Sequence, residues 1–292
     1  MAPQGLIDSP GSVRVDFLED LRRATERAGD GAGGFDRADL LIAGRRLRLL
    51  FAGPALREPL LPALEHAVHR GAGEPDLTVR IWDTASTGVV MAAPIWGTDD
   101  YREHGVIDGF YDGDLQITYQ WITHSLSILE PARGEAVYWV EDPAGFPFFD
   151  RAAPLRKLLS GWFASRGLQL THAAALGDED GCVLLAGNAG AGKSSAALAC
   201  LDSAVRHIAD DYCVLEPGGG APPTVHALYS SAKAHPDAIA RLGIDPGWVA
   251  NPQRPDGDKA VLYLSRHAPE RLVPSARLRA IAVPRISGRR ET

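Results

Sequence analysis

The chain has 292 residues, of which 45% are hydrophobic and 23% charged, and 30 Lys and Arg against 37 Asp and Glu leave a net charge of −7. That composition excludes a disordered chain, which needs low hydrophobicity and high charge. It also argues against a protein that coats nucleic acid, because no basic excess exists to neutralise phosphates. At ~150 residues per domain the length predicts about two domains with ample core. Three cysteines, Cys182, Cys200 and Cys213, are too few for a disulfide framework and read as small buried hydrophobes of a reducing compartment. No basic segment followed by an apolar run opens the chain, and no stretch reaches the ~18 apolar residues of a membrane helix. The expectation is a soluble, cytoplasmic protein with no membrane or nucleic-acid partner.

Residues 14–28 have apolar positions at helical spacing, Val15, Leu18 and Leu21 among them, and predict a helix stopped by Gly29. Two short apolar runs, Asp39–Ala43 and Leu47–Ala52, meet at Gly44-Arg45 and predict a hairpin. Residues 55–69 read as a helix whose start is confined by Pro59 and Pro62. Leu77–Trp82, Leu115–Tyr119, Ser125–Leu129 and Ala136–Val140 read as strands. The first half is therefore expected to be an α+β domain, residues 1–150, on a mostly antiparallel sheet. Trp82, Trp96, Trp121 and Trp139 are expected in its core. Pro143, Pro147 and Pro154 mark a boundary, and 154–166 form an amphipathic helix with Leu155, Leu158, Leu159 and Trp162 on one face. The second domain is placed at 151–292.

Residues 168–216 carry the chemistry. A strand over LQLTHAAAL and a polar turn precede a second strand, CVLLAG. Gly187-Asn188-Ala189-Gly190-Ala191-Gly192-Lys193-Ser194 then satisfies every fixed position of G-x-x-x-x-G-K-[ST], followed by Ser195 and a helix-forming run. Glycines let successive amides turn toward phosphate oxygens, and the helix start adds unpaired donors. Lys193 would meet the β- and γ-phosphates and the Ser194 hydroxyl a Mg²⁺ ion. The strand Val205–Ala209 ends in Asp210-Asp211, where a metal-binding carboxylate belongs. A pair divides the labour if the strand stops there: one side chain holds the metal and the other takes a proton from a hydroxyl. His172 lies 15 residues before Gly187, and a hairpin of 168–175 with 182–186 would bring it near the loop.

The order of a His-bearing strand, GNAGAGKSS and ADDY resembles the HPr serine kinase/phosphorylase family, whose fold is similar to the nucleotide domain of phosphoenolpyruvate carboxykinase. AVYWVED, PLRKLLSGWF, HALYSSAK and LRAIAVPRI look like the HPr-kinase-like proteins of lasso-peptide biosynthesis clusters. The likeness covers about 152–288. It implies an α/β (α+β) chain: an amino-terminal α+β domain, then a P-loop kinase domain with a shortened carboxy end. It implies an ATP- and Mg²⁺-dependent serine kinase acting on a peptide or small protein, and an oligomer. By the same resemblance Gly187 to Ser195 hold the phosphates, Ser194 and Asp211 the metal, and Asp210 is the base. His172 orients the acceptor or Asp210. Glu216 and Asp237 are the candidates for a further acidic ligand, and Lys233, Lys259 and Arg285 are candidate phosphate contacts. Two other readings use the same residues: a small-molecule kinase, and a nucleotide-binding regulatory module without turnover.

Overall fold

A computed structural model describes residues 10–255 and 257–284. It is a mixed α/β chain with two seven-stranded sheets. It divides into two compact units: 1–38, 49–57 and 77–145 form the first, and 39–48, 58–76 and 146–292 the second. The second unit thus begins its main run at Phe146, inside the proline-marked boundary, and also claims two earlier segments.

The first sheet is built from β1 (Phe35–Ile42), β2 (Arg45–Ala52), β3 (Leu77–Asp83), β4 (Val106–Tyr111), β5 (Gln116–Gln120), β6 (Ser125–Glu130) and β7 (Glu135–Val140), in the order β1-β2-β3-β7-β6-β5-β4. The expected hairpin turns at Ala43 and Gly44, with φ of 50° and 68°. Two successive positive values suit a two-residue turn that follows the strand twist. In the first unit β3 and β7 run parallel, whereas β5 and β6, and β6 and β7, run antiparallel.

The first helix spans Pro10–Gly31, past the stop expected at Gly29, because the left-handed residues are Gly33 and Gly34. Its Phe17, Leu21, Ala24 and Ala28 pack with Trp82, Trp96, Ile117 and Ile128. Trp121 departs from the expected core: it is 55% exposed. Residues 55–69 are one α-turn, Arg57–Leu60, and a 3-10 segment, Pro62–Ala67, rather than a continuous helix. Pro59 and Pro62 remove amide donors at successive turns, which breaks the i→i−4 ladder.

The second unit contains β8 (Gln169–Thr171), β9 (Ala174–Gly177), β10 (Cys182–Leu185), β11 (Arg206–Ala209), β12 (Cys213–Glu216), β13 (Thr224–Ala227), β14 (Ser231–Ala234), β15 (Ala260–Tyr263) and β16 (Ser275–Ala282). Its large sheet has the order β11-β9-β10-β16-β13-β12-β8, and β14 pairs with β15 alone. β10 runs parallel to β16 and antiparallel to β9. The helix Arg156–Ser165 buries Leu158, Leu159 and Trp162, as the periodicity predicts. Cys182 and Cys213 are buried, and all three cysteines are free thiols. The helix Lys193–Ala199, with Leu198, packs against Ala232, Ala234, Ile239 and Leu262, which fixes the phosphate-loop motif beside β14. Among the described residues no helix is long and apolar enough to cross a membrane.

Candidate functional site

The single strand expected over 168–176 is broken at His172-Ala173, and the break builds the site. β9 pairs with β11, Ala175 opposite Ala209, while β8 pairs with β12, Thr171 opposite Cys213. Both chains therefore change partners at the same level. The residues left between, His172 on one side and Asp210, Asp211 and Tyr212 on the other, face each other. β9 is also antiparallel to β10, Ala174 opposite Leu185, so the start of β9 lies beside the end of β10, where the glycine loop begins. The sheet thus delivers the histidine, the aspartate pair and the loop to one edge.

The loop follows from its glycines. Gly187, Gly190 and Gly192 have φ of 146°, 81° and 91°, values an L side chain adopts only with strain. Gly187 to Gly190 are exposed, and Lys193 is buried to 8% exposure. Its Nζ donates to the carbonyls of Gly187 at 2.8 Å and Asn188 at 3.2 Å. A cleft of about 560 Å³ is lined by Ala189 to Ser195 on one wall and by His172, Asp211, Tyr212, Lys233 and Asp237 elsewhere.

The two aspartates have different surroundings. Asp211 faces the cleft, accepts from Lys233 Nζ at 2.6 Å and lies 2.9 Å from His172 Nε2. Burial pushes its carboxyl up, but Lys233 and His172 outweigh this and hold it below the usual carboxylate range. His172 stacks on Tyr212 at 4.9 Å, and the Tyr212 hydroxyl accepts from Arg156 Nη1 at 3.0 Å. Asp210 is only 2% exposed and does not line the cleft. Its Oδ2 accepts from the Lys233 amide at 2.9 Å. Burial raises its pKa to about 6, offset in part by that amide and by the nearby Ser194 hydroxyl. Even so, Oδ1 is buried without a hydrogen bond of proper geometry.

That orphaned oxygen next to Ser194 is what a hard cation takes up. Mg²⁺ is held in nucleotide sites by a hydroxyl and one or two carboxylates together with phosphate oxygens, so Ser194 and an aspartate fit it. Among the described residues no group of three or more His, Cys, Asp and Glu gathers as an all-protein metal centre. Glu216 pairs with His226 at 3.1 Å, outside the cleft lining, whereas Asp237 and Lys259 line it. Arg285 lies outside the described residues. Lys233, a candidate phosphate contact by sequence, has a further role. Its backbone amide and side chain tie together both aspartates, a link that strand pairing creates. Arg156 and Asp150, the latter pushed up to about 6 by burial against the opposing pull of Arg156 and Lys233, carried no sequence signal. Neither the protein-family models nor the curated proteins contain a match to this chain.

Proposed function

We propose that the second unit is an ATP- and Mg²⁺-dependent phosphotransferase that places the γ-phosphoryl group on a Ser or Thr hydroxyl of a peptide or small protein. The observation that carries this reading is the meeting, at one sheet edge, of the glycine loop with Lys193 and an aspartate pair whose members are differently paired. In an HPr-kinase-like arrangement the loop amides and Lys193 bind the phosphates. Mg²⁺, held by Ser194 and an aspartate, supplies charge neutralisation of the β- and γ-oxygens.

The burial pattern favours a division of labour between the aspartates opposite to the one the resemblance implies. Asp210, beside Ser194 with a free buried Oδ1, suits the metal. Asp211, exposed to the cleft and oriented by His172 and Lys233, suits the acceptor proton. The acceptor oxygen bonds to the γ-phosphorus, the bond to the β–γ bridging oxygen breaks, and the proton passes to Asp211. A carboxylate of low pKa is adequate here, because phosphoryl transfer has a loose transition state and depends more on positioning than on base strength. The test is Mg²⁺-dependent binding of a non-hydrolysable ATP analogue, and phosphate transfer from labelled ATP to a Ser-containing peptide, by Asp210→Asn and Asp211→Asn. Asp210→Asn should weaken the Mg²⁺-dependent part of binding about ten-fold or more, whereas Asp211→Asn should keep binding and lose transfer. The converse pattern would restore Asp210 as the base. Loss of neither binding nor transfer in either variant would refute the site.

A further inference from the structure

Beside the loop cleft the second unit holds another, of about 800 Å³, and three residues line both: Lys233, His235 and Lys259. The shared wall is the aspartate side of the site, since Lys233 contacts Asp210 through its amide and Asp211 through Nζ. In a P-loop site the γ-phosphoryl group lies toward the lysine and the metal carboxylate. A hydroxyl that attacks it must therefore approach from this wall.

The cleft is shaped for more than water. Phe148 and Phe149 form an apolar face. Phe149 is 50% exposed, and Arg151 sits 4.5 Å above the Phe148 ring and fixes it. Residues 250–255, 257–259 and 261 form the cleft's rim. Asn251, buried to 4%, donates from Nδ2 to the Lys259 carbonyl at 2.9 Å and accepts from the Val261 amide at 2.8 Å. Among the described residues Arg254 bonds the carbonyls of Asn251 and Asp258, and neither it nor Lys259 has a carboxylate partner. Among the described residues of this lining, Arg254 and Lys259 stand beside one carboxylate, Asp258.

Resting on the phosphotransferase reading, we infer that this second cleft seats the acceptor. The occupant is a peptide segment whose hydroxyl residue is flanked by a large apolar side chain, packed on Phe148 and Phe149, and by a carboxylate, met by Arg254 and Lys259. An apolar side chain buried on an aromatic face and a charge pair at the rim each contribute roughly a ten-fold preference or less.

The test uses fluorescein-labelled nonapeptides with a central Ser, flanked by Leu or Gly on one side and Glu or Gln on the other. Binding to the full chain is read by polarisation, with and without Mg²⁺ and a non-hydrolysable ATP analogue. The Leu/Glu peptide should bind about ten-fold or more tighter than the Gly/Gln peptide. Phe149→Ala should erase the Leu preference with unchanged melting temperature and nucleotide affinity, and Lys259→Gln should narrow the Glu preference. Equal binding of all peptides, or none, would overturn the inference. So would a Phe149→Ala variant that loses nucleotide and keeps peptide, because the cleft would then hold the base. Peptide selectivity without phosphate transfer from labelled ATP would keep the cleft's peptide preference and sink the catalytic reading, and with it the role of acceptor.

Discussion

Asp210 and Asp211 are neighbours in sequence, yet one is buried behind the loop and the other lines the cleft. The motif was legible as residues: the glycines, Lys193, Ser194 and the carboxylate pair are all in one stretch. Which carboxylate faces the cleft was not legible, because it depends on the residue at which β11 stops and on where Lys233, 22 positions after Asp211, is brought by β14. A second residue-scale feature lay outside any motif. His207 is 1% exposed, neither ring nitrogen has a hydrogen-bond partner among the described residues, and burial, with His66 nearby, lowers its pKa to about 4. Protonation therefore favours the unfolded chain. The stability at stake is present above pH ~6.5 and is lost as pH falls from there toward 4, by about 3 kcal/mol as an order of magnitude. His207→Leu should flatten that acid slope in urea unfolding measured between pH 8 and pH 4.5. Since it removes no hydrogen bond, it should cost little at pH 8. Parallel slopes for the two proteins would show that His207 is not buried neutral.

At the scale of elements, periodicity located the helix Arg156–Ser165 and the strands β3, β5, β6 and β7 within a residue or two. It failed where one apolar run serves two pairings. LQLTHAAAL contains no Gly or Pro, so nothing local announces that β8 and β9 go to different neighbours. The failure falls at the functional edge, where a break in the ladder is what exposes side chains. It also read 55–69 as a helix because apolar spacing survives while the prolines remove the amides that a helix needs. The rim residues around Asn251, Lys259 and Val261 carried no sequence signal, since one buried side-chain amide ties them. Asn251→Ala strands the Lys259 carbonyl and the Val261 amide, and should cost about 2–3 kcal/mol in chemical denaturation. A loss under ~0.5 kcal/mol would mean that the rim is not stapled as described.

On the scale of the whole molecule, the second unit's main run starts at Phe146, within the proline-marked stretch, while nothing in the sequence signals that 39–48 and 58–76 belong to that unit. Those segments join it through contacts distant in sequence, such as the Ser230 amide donating to the Ala63 carbonyl at 2.8 Å and Arg266 pairing with Glu65 at 2.6 Å. A ligand of the folded site stabilises the unit that holds it, by about 2.7 kcal/mol at 100 times its dissociation constant. The central claim, that the glycine loop is a Mg²⁺-nucleotide site, is tested most directly by titration calorimetry with a non-hydrolysable ATP analogue. The intact chain is compared with and without Mg²⁺, and beside Lys193→Ala. The account predicts one Mg²⁺-dependent site, lost in the variant. No binding by the intact chain, or equal binding by Lys193→Ala, would contradict it.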